Sequence, residues 1–187
     1  MEKSTNRDSL CLLTELALSD TTYSDEMKKS LIKDFILWKW TAGFNNETKF
    51  YNCQFWSQRA YEQWVLTRKK FKNGKPTNGK TENLRHDHVV PRGVVYKKLN
   101  SSAKDKIAEI LDYLCVGCVI TLEENQHLDN EGFQSEMPKS WSKIWARYEI
   151  AFAKRGITIY KICWDTDSIS KDFLVVPSVE KQISTVR

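Results

Sequence analysis

A chain of 187 residues is long enough for one full hydrophobic core with a small appended region. Its 41% apolar and 28% charged residues are an ordinary globular balance, and 7 glycines with 4 prolines leave no room for long flexible linkers. The net charge of +5 and pI near 8.9 favour polyanionic partners, and the longest apolar run, "LCVGCVITL", is far too short to span a bilayer.

The N-terminal region reads as helical. A short helix is expected around Ser9 to Ser19, carried by Leu10, Leu13 and Ala17. Ser24 is placed to cap a second helix whose first turn holds Asp25 and Glu26, favourable at the positive end of the helix dipole. Met27, Leu31, Phe35 and Trp38 recur at helical spacing and predict its core stripe. Asn45 to Gln54 is ambiguous, with a short strand as one reading. Ser57 then looks like the N-cap of "QRAYEQWVLTRKK".

That helix runs into "TRKKFKNGKPTNGK", Thr67 to Lys80, which carries six basic residues and no acid. The basic residues are Arg68, Lys69, Lys70, Lys72, Lys75 and Lys80. The segment reads either as a solvated loop or as a phosphate-contacting one, and its turn residues predict exposure.

"LRHDHVV" alternates polar and apolar residues and predicts a strand ending at Pro91. "GVVYKKL" follows as a short helix or irregular turn. Ser102 opens a helix, with Asp105 at the capping-box position and Ile107, Ile110, Leu111 and Leu114 as its apolar stripe. "VGCVITL" is the next strand. Thr121 ends it and caps a helix with Glu124 three residues on, and Gly132 is a stop signal. Pro138 and Ser140 precede a helix with Trp141, Trp145, Tyr148 and Phe152 on one face. That helix is expected to pack against the strand–helix unit before it. Gly156 ends it, "ITIYKI" is a last strand, and the tail after Asp165 has no clear pattern.

Five cysteines, Cys11, Cys53, Cys115, Cys118 and Cys163, follow the polar, charged start "MEKSTNRDSL". An odd count with no secretory signal predicts free thiols and a cytoplasmic setting.

Strand, long crossover, strand, capped helix is the order of a ββα-metal unit. "HDHVVP" followed by "CVITLEEN" resembles the HNH, or His-Me finger, endonuclease family over roughly residues 84–128. The resemblance implies that His88 is a general base, that Asp87 and Asn125 bind one divalent ion, and that the substrate is DNA, double-stranded in the first instance. A neutral histidine can take a water's proton near pH 7, and a divalent ion can stabilise the leaving oxygen. Asp and Asn oxygens are hard ligands that suit Mg²⁺ or Mn²⁺. Residues two positions apart on a helix differ by about 200°, so only one of Asn125 and His127 can face the strands. Leu122 and Leu128 flank Asn125 three residues either side, which predicts Asn125 inward and His127 outward. The chain departs from many members in having one Cys-x-x-Cys pair, and Asn100 is the only candidate for the family's central Asn.

His86, Arg85 and Arg92 flank the motif as supporting residues, the arginines as clamps for a phosphate. A restriction or defence role fits such an enzyme, and cutting both strands at a symmetric site would call for a homodimer. Two further readings stay open: a catalytically silent nucleic-acid-binding protein, and a zinc-stabilised module using His86, His88, Cys115 and Cys118. The expected architecture is α+β. Residues 1–80 form a helical region with the basic loop, 81–165 an HNH-like core with a flanking helix and strand, and 166–187 a tail.

Overall fold

The structure is a computed structural model that describes residues 2–44, 50, 53–68, 83–153, 155–163 and 168–170. Helix α1 spans Glu2–Ser19, longer than the apolar residues alone predicted. Leu10, Thr14 and Ala17 are its buried positions, whereas Leu12 and Leu16 face solvent. The Thr14 hydroxyl avoids an unmet polar burial by donating to the Leu10 carbonyl at 2.7 Å.

Ser24 caps helix α2 (Asp25–Ser30) as expected, its Oγ accepting from the Met27 N–H at 3.3 Å. The helix then widens into a π turn over Leu31–Ile36 before resuming as α3 (Leu37–Ala42). This corrects the predicted core stripe. Met27 and Phe35 are exposed, and the residues that seal the core are Ile32, Ile36 and Leu37. The wide turn brings Ile32 and Leu37, five residues apart, onto the same buried face, where a regular 3.6-residue repeat would set them about 140° apart. The Leu37 N–H reaches back five residues to the Ile32 carbonyl, so the return to α geometry steps over the Lys33 carbonyl. Arg92 fills that position, its guanidinium donating to Lys33 O at 2.9 Å and to Asp34 Oδ1 at 3.1 Å.

The remaining elements are β1 (Phe55–Ser57), α4 (Gln58–Arg68), β2 (Leu84–His88), α5 (Arg92–Asn100), α6 (Ile107–Leu114), β3 (Gly117–Thr121), α7 (Leu122–Asn130), α8 (Ala146–Ala153), β4 (Ile159–Cys163) and β5 (Ser168–Ser170). Ser57 does cap α4, accepting from the Ala60 N–H at 3.1 Å. Ser102 does not open α6. Its hydroxyl turns back to the Lys98 carbonyl at 2.7 Å, and a 3₁₀ turn over Lys104–Lys106 leads into the helix instead. The predicted stripe of α6 is buried in full. Trp141 and Trp145 precede α8 rather than lying on it, while Tyr148 and Phe152 are the helix's buried aromatics.

The strands form one mixed sheet in the order β2-β3-β1-β4-β5. β2 and β3 are antiparallel neighbours, with Leu84 opposite Thr121 and His88 opposite Gly117. β1, from the first third of the chain, lies parallel to β3 and antiparallel to β4, so an early strand sits in the middle of a sheet built otherwise from later ones. Every residue of β3 is buried. Helices cover both of its faces: Cys118 and Ile120 pack with Leu128 of α7 and Tyr148 and Phe152 of α8, while Val119 packs with Trp56, Ala60 and Trp64 on the α4 side. A third cluster, of Leu10, Ile32, Ile36, Leu99, Ile107 and Leu111 among others, joins α1, the π turn, α5 and α6 beside the sheet. The architecture is thus α+β. Among the described residues no helix is long and apolar enough to cross a membrane.

Candidate functional site

Side chains alternate along a strand, so residues 84, 86 and 88 face one way and 85 and 87 the other. On β2 this separates the two residues that the motif brings together in sequence. Asp87 lies opposite Cys118 and faces α7 and α8. His88 lies opposite Gly117 and faces α3.

The Asp87 carboxylate is held from α8. Its Oδ2 accepts from the Arg147 guanidinium and from the Tyr148 hydroxyl, the latter at 2.5 Å. Arg147 is only 1% exposed. It also donates to the backbone carbonyls of Val89 at 2.8 Å, Phe133 at 2.7 Å and His88. Burial pushes the Asp87 carboxyl above its ordinary range, and the Arg147 charge and Tyr148 hydroxyl pull it back. Because a guanidinium keeps its proton in proteins, a neutral Asp87 would strand a buried cation. The pair is therefore best described as ionised.

His88 is buried under α3. Its Nε2 lies 3.1 Å from the Leu37 carbonyl and 3.2 Å from Thr41 Oγ1. A carbonyl can only accept, which assigns the proton of the neutral ring to Nε2 and leaves Nδ1 as the basic nitrogen. Burial lowers the His88 pKa to about 3, with the charges of His86, Arg92 and Arg147 adding to the effect. His86 makes edge-to-face contacts with neighbours on the same face, its ring centroid 4.7 Å from Trp38 and 5.2 Å from His88. Gly117 makes that possible. A Cβ there would stand 3.0 Å from His86 Nε2 and 3.1 Å from both Cys53 Sγ and the Thr41 Cβ.

Helix α7 has the expected capping box. Thr121 Oγ1 accepts from the Glu124 N–H at 3.1 Å, and Glu124 Oε2 accepts from the Thr121 N–H at 2.8 Å. The same carboxylate oxygen takes the Ser57 hydroxyl at 2.6 Å. This turns Glu124 and Leu128 into the sheet-facing positions and leaves Asn125 and Leu122 half-buried to the side. The expectation that Asn125 occupies the inward face is corrected accordingly. So is the outward placement of His127: its Nε2 pairs with the Ala151 carbonyl at 2.7 Å and its ring stacks on Phe152.

The other expected site residues are dispersed. Arg85 is half-buried and donates to the Leu84 carbonyl at 2.9 Å. Arg92 braces the π turn. Arg68 is the last residue of α4, and Lys69, Lys70, Lys72, Lys75 and Lys80 lie outside the described residues. Four of the cysteines, Cys11, Cys53, Cys115 and Cys118, are free thiols. The zinc arrangement does not form: Cys115 Sγ points to the Leu37 carbonyl at 3.5 Å on the His88 side, while Cys118 faces Asp87 across the sheet. Burial raises both thiols, opposite to what a thiolate ligand needs. Among the described residues no group of three His, Cys, Asp or Glu side chains is placed to hold a metal ion.

A divalent ion at Asp87 does not fit this arrangement. Asp87 Oδ2 is already shared by a guanidinium and a phenol, and the buried guanidinium beside it repels a second cation. The residues that determine this, Arg147 and Tyr148, carry no motif of their own. The apolar spacing of Tyr148 and Phe152 marks a buried face, and a buried arginine next to it has to find an acid. No family model, curated protein or solved structure matches the chain.

Proposed function

We propose that this chain binds nucleic acid and that the end of β2 holds its scaffold together instead of cutting a phosphodiester. One observation carries the second half of the reading: Asp87 and His88 face opposite sides of the sheet, and each is engaged by its own helix. A general base and a metal ligand must reach the same phosphate to act together. The first half is supported by the net charge of +5 and by the acid-free run of six basic residues from Thr67 to Lys80, which continues from the end of α4.

The HNH endonuclease reading is favoured by a different observation. β2, β3 and the capped helix α7 follow the strand–strand–helix order, and Asp87 is on the face that α7 covers. It requires α8 to release Asp87 when substrate arrives.

The two readings separate in one experiment. Supercoiled plasmid and a linear duplex are incubated with the protein, with Mg²⁺, Mn²⁺ or EDTA. The expected result is retarded duplex and intact plasmid under every condition. Divalent-dependent nicking that disappears in Asp87→Ala and His88→Ala would restore the endonuclease. Neither retardation nor nicking would sink both readings.

A further inference from the structure

We propose that Arg147 is a built-in replacement for the divalent ion that the HNH resemblance assigns to Asp87. The position is a cage of hard oxygens. One carboxylate oxygen, from Asp87, and three backbone carbonyls, from His88, Val89 and Phe133, converge on a single side chain. Carboxylate and carbonyl oxygens are the ligands that hard cations take. Here they surround a guanidinium that is 1% exposed and enters from α8. All three of its nitrogens donate, Nε to Val89, one Nη to Phe133 and the other to both Asp87 and His88.

Three consequences follow from the identity of this cation. It is covalently attached, so it cannot be removed by a chelator. Its charge does not change with pH in the accessible range. It also ties together segments far apart in the chain: the end of β2, the turn after α7 and the first turn of α8. Tyr148, one residue on, donates to the same carboxylate oxygen at 2.5 Å, so Oδ2 carries two donors from α8. Asp87 is thus a structural counter-ion, and Arg147 is a positioning residue for the strand end.

The test uses the full chain and Mn²⁺ alone as probe, read by loss of the free-ion electron paramagnetic resonance signal and by thermal unfolding. Wild type and Asp87→Asn are expected to bind Mn²⁺ equally, and EDTA to leave the wild-type melting temperature unchanged. Arg147→Met keeps an apolar stem and removes the charge. It is expected to gain a Mn²⁺ site that raises its melting temperature, and the gain should vanish in the Arg147→Met/Asp87→Asn double variant. Wild-type Mn²⁺ binding that Asp87→Asn abolishes would overturn the proposal. A folded Arg147→Met with no Asp87-dependent gain would overturn it equally. If Arg147→Met does not fold, the comparison of wild type with Asp87→Asn decides alone. None of these readouts involves DNA, so failure here is distinct from failure of the nucleic-acid reading.

Discussion

Gly117 lies directly across the β2–β3 pair from His88, and its missing side chain is the space that the His86 ring occupies. Three neighbours meet there, from β2, from α3 and from the loop before β1, and two of them, Cys53 and Thr41, are short side chains. Gly117→Ala is therefore expected to destabilise the fold by about 1–3 kcal/mol through overpacking. Urea denaturation measures it. A neutral substitution would mean that the histidine layer can shift as a unit.

Tyr148→Phe keeps the ring between Trp145 and Phe152 and removes only the hydroxyl that Asp87 accepts. Loss of a hydrogen bond to a buried charge should cost about 1–3 kcal/mol. The same denaturation assay, run with Phe152→Leu as a packing control, distinguishes hydroxyl loss from ring loss.

The fold's sequence logic was readable wherever one local signal decided the outcome. Thr121 and Glu124 announced a capping box, and Ser57 and Ser24 announced caps, because each needs only a side chain and a nearby N–H. The apolar stripe of α6 was equally plain. The rotation of α7 was not, although its cause was in view. The capping carboxylate also takes the hydroxyl of Ser57, 67 residues earlier, and that distant contact sets which residues of α7 face the sheet. The π turn hid the core stripe of the N-terminal helix for a similar reason: two stripes one residue apart are equally regular until a wide turn selects one. Asp87 and His88 read as a catalytic pair because they are adjacent. Strand alternation separates them, and the partners that claim each one, Arg147 and Leu37, are about 60 and 50 residues away.

His88 is expected to govern stability in acid. Its folded pKa, about 3, is below its ordinary value of 6.5, so between these two values the unfolded chain binds the extra proton. The stabilisation is complete above about pH 6.5 and is lost as pH falls toward about 3, on the order of a few kcal/mol in all. Chemical denaturation at a series of pH values for wild type and His88→Gln isolates the histidine. Identical slopes would exclude it as the source.

His127→Ala removes the hydrogen bond to the Ala151 carbonyl and the stacking on Phe152. A cost of about 1 kcal/mol is expected, the usual net value of one hydrogen bond. Duplex affinity should not change. A loss of affinity with stability intact would place His127 in the interface instead.

Replacing Lys69, Lys70 and Lys72 together by Gln should weaken duplex binding and flatten its dependence on salt. The slope should fall by about 0.9 log–log units for each phosphate that the protein no longer neutralises. The slope is the informative quantity, because affinity alone also falls when a protein is partly unfolded. An unchanged slope would take the basic segment out of the nucleic-acid path.

The wide turn over Leu31–Ile36 sets the timing of the helix that follows it. Removing one residue there would rotate Leu37 to Ala42 by about 100° around the axis. The Leu37 carbonyl and the Thr41 hydroxyl would swing off the His88 ring, and Arg92 would lose the Lys33 carbonyl that the turn exposes. Helix α3 and the sheet are geared to each other through this one irregular turn, and a change of length within it would be felt at a histidine more than fifty residues downstream.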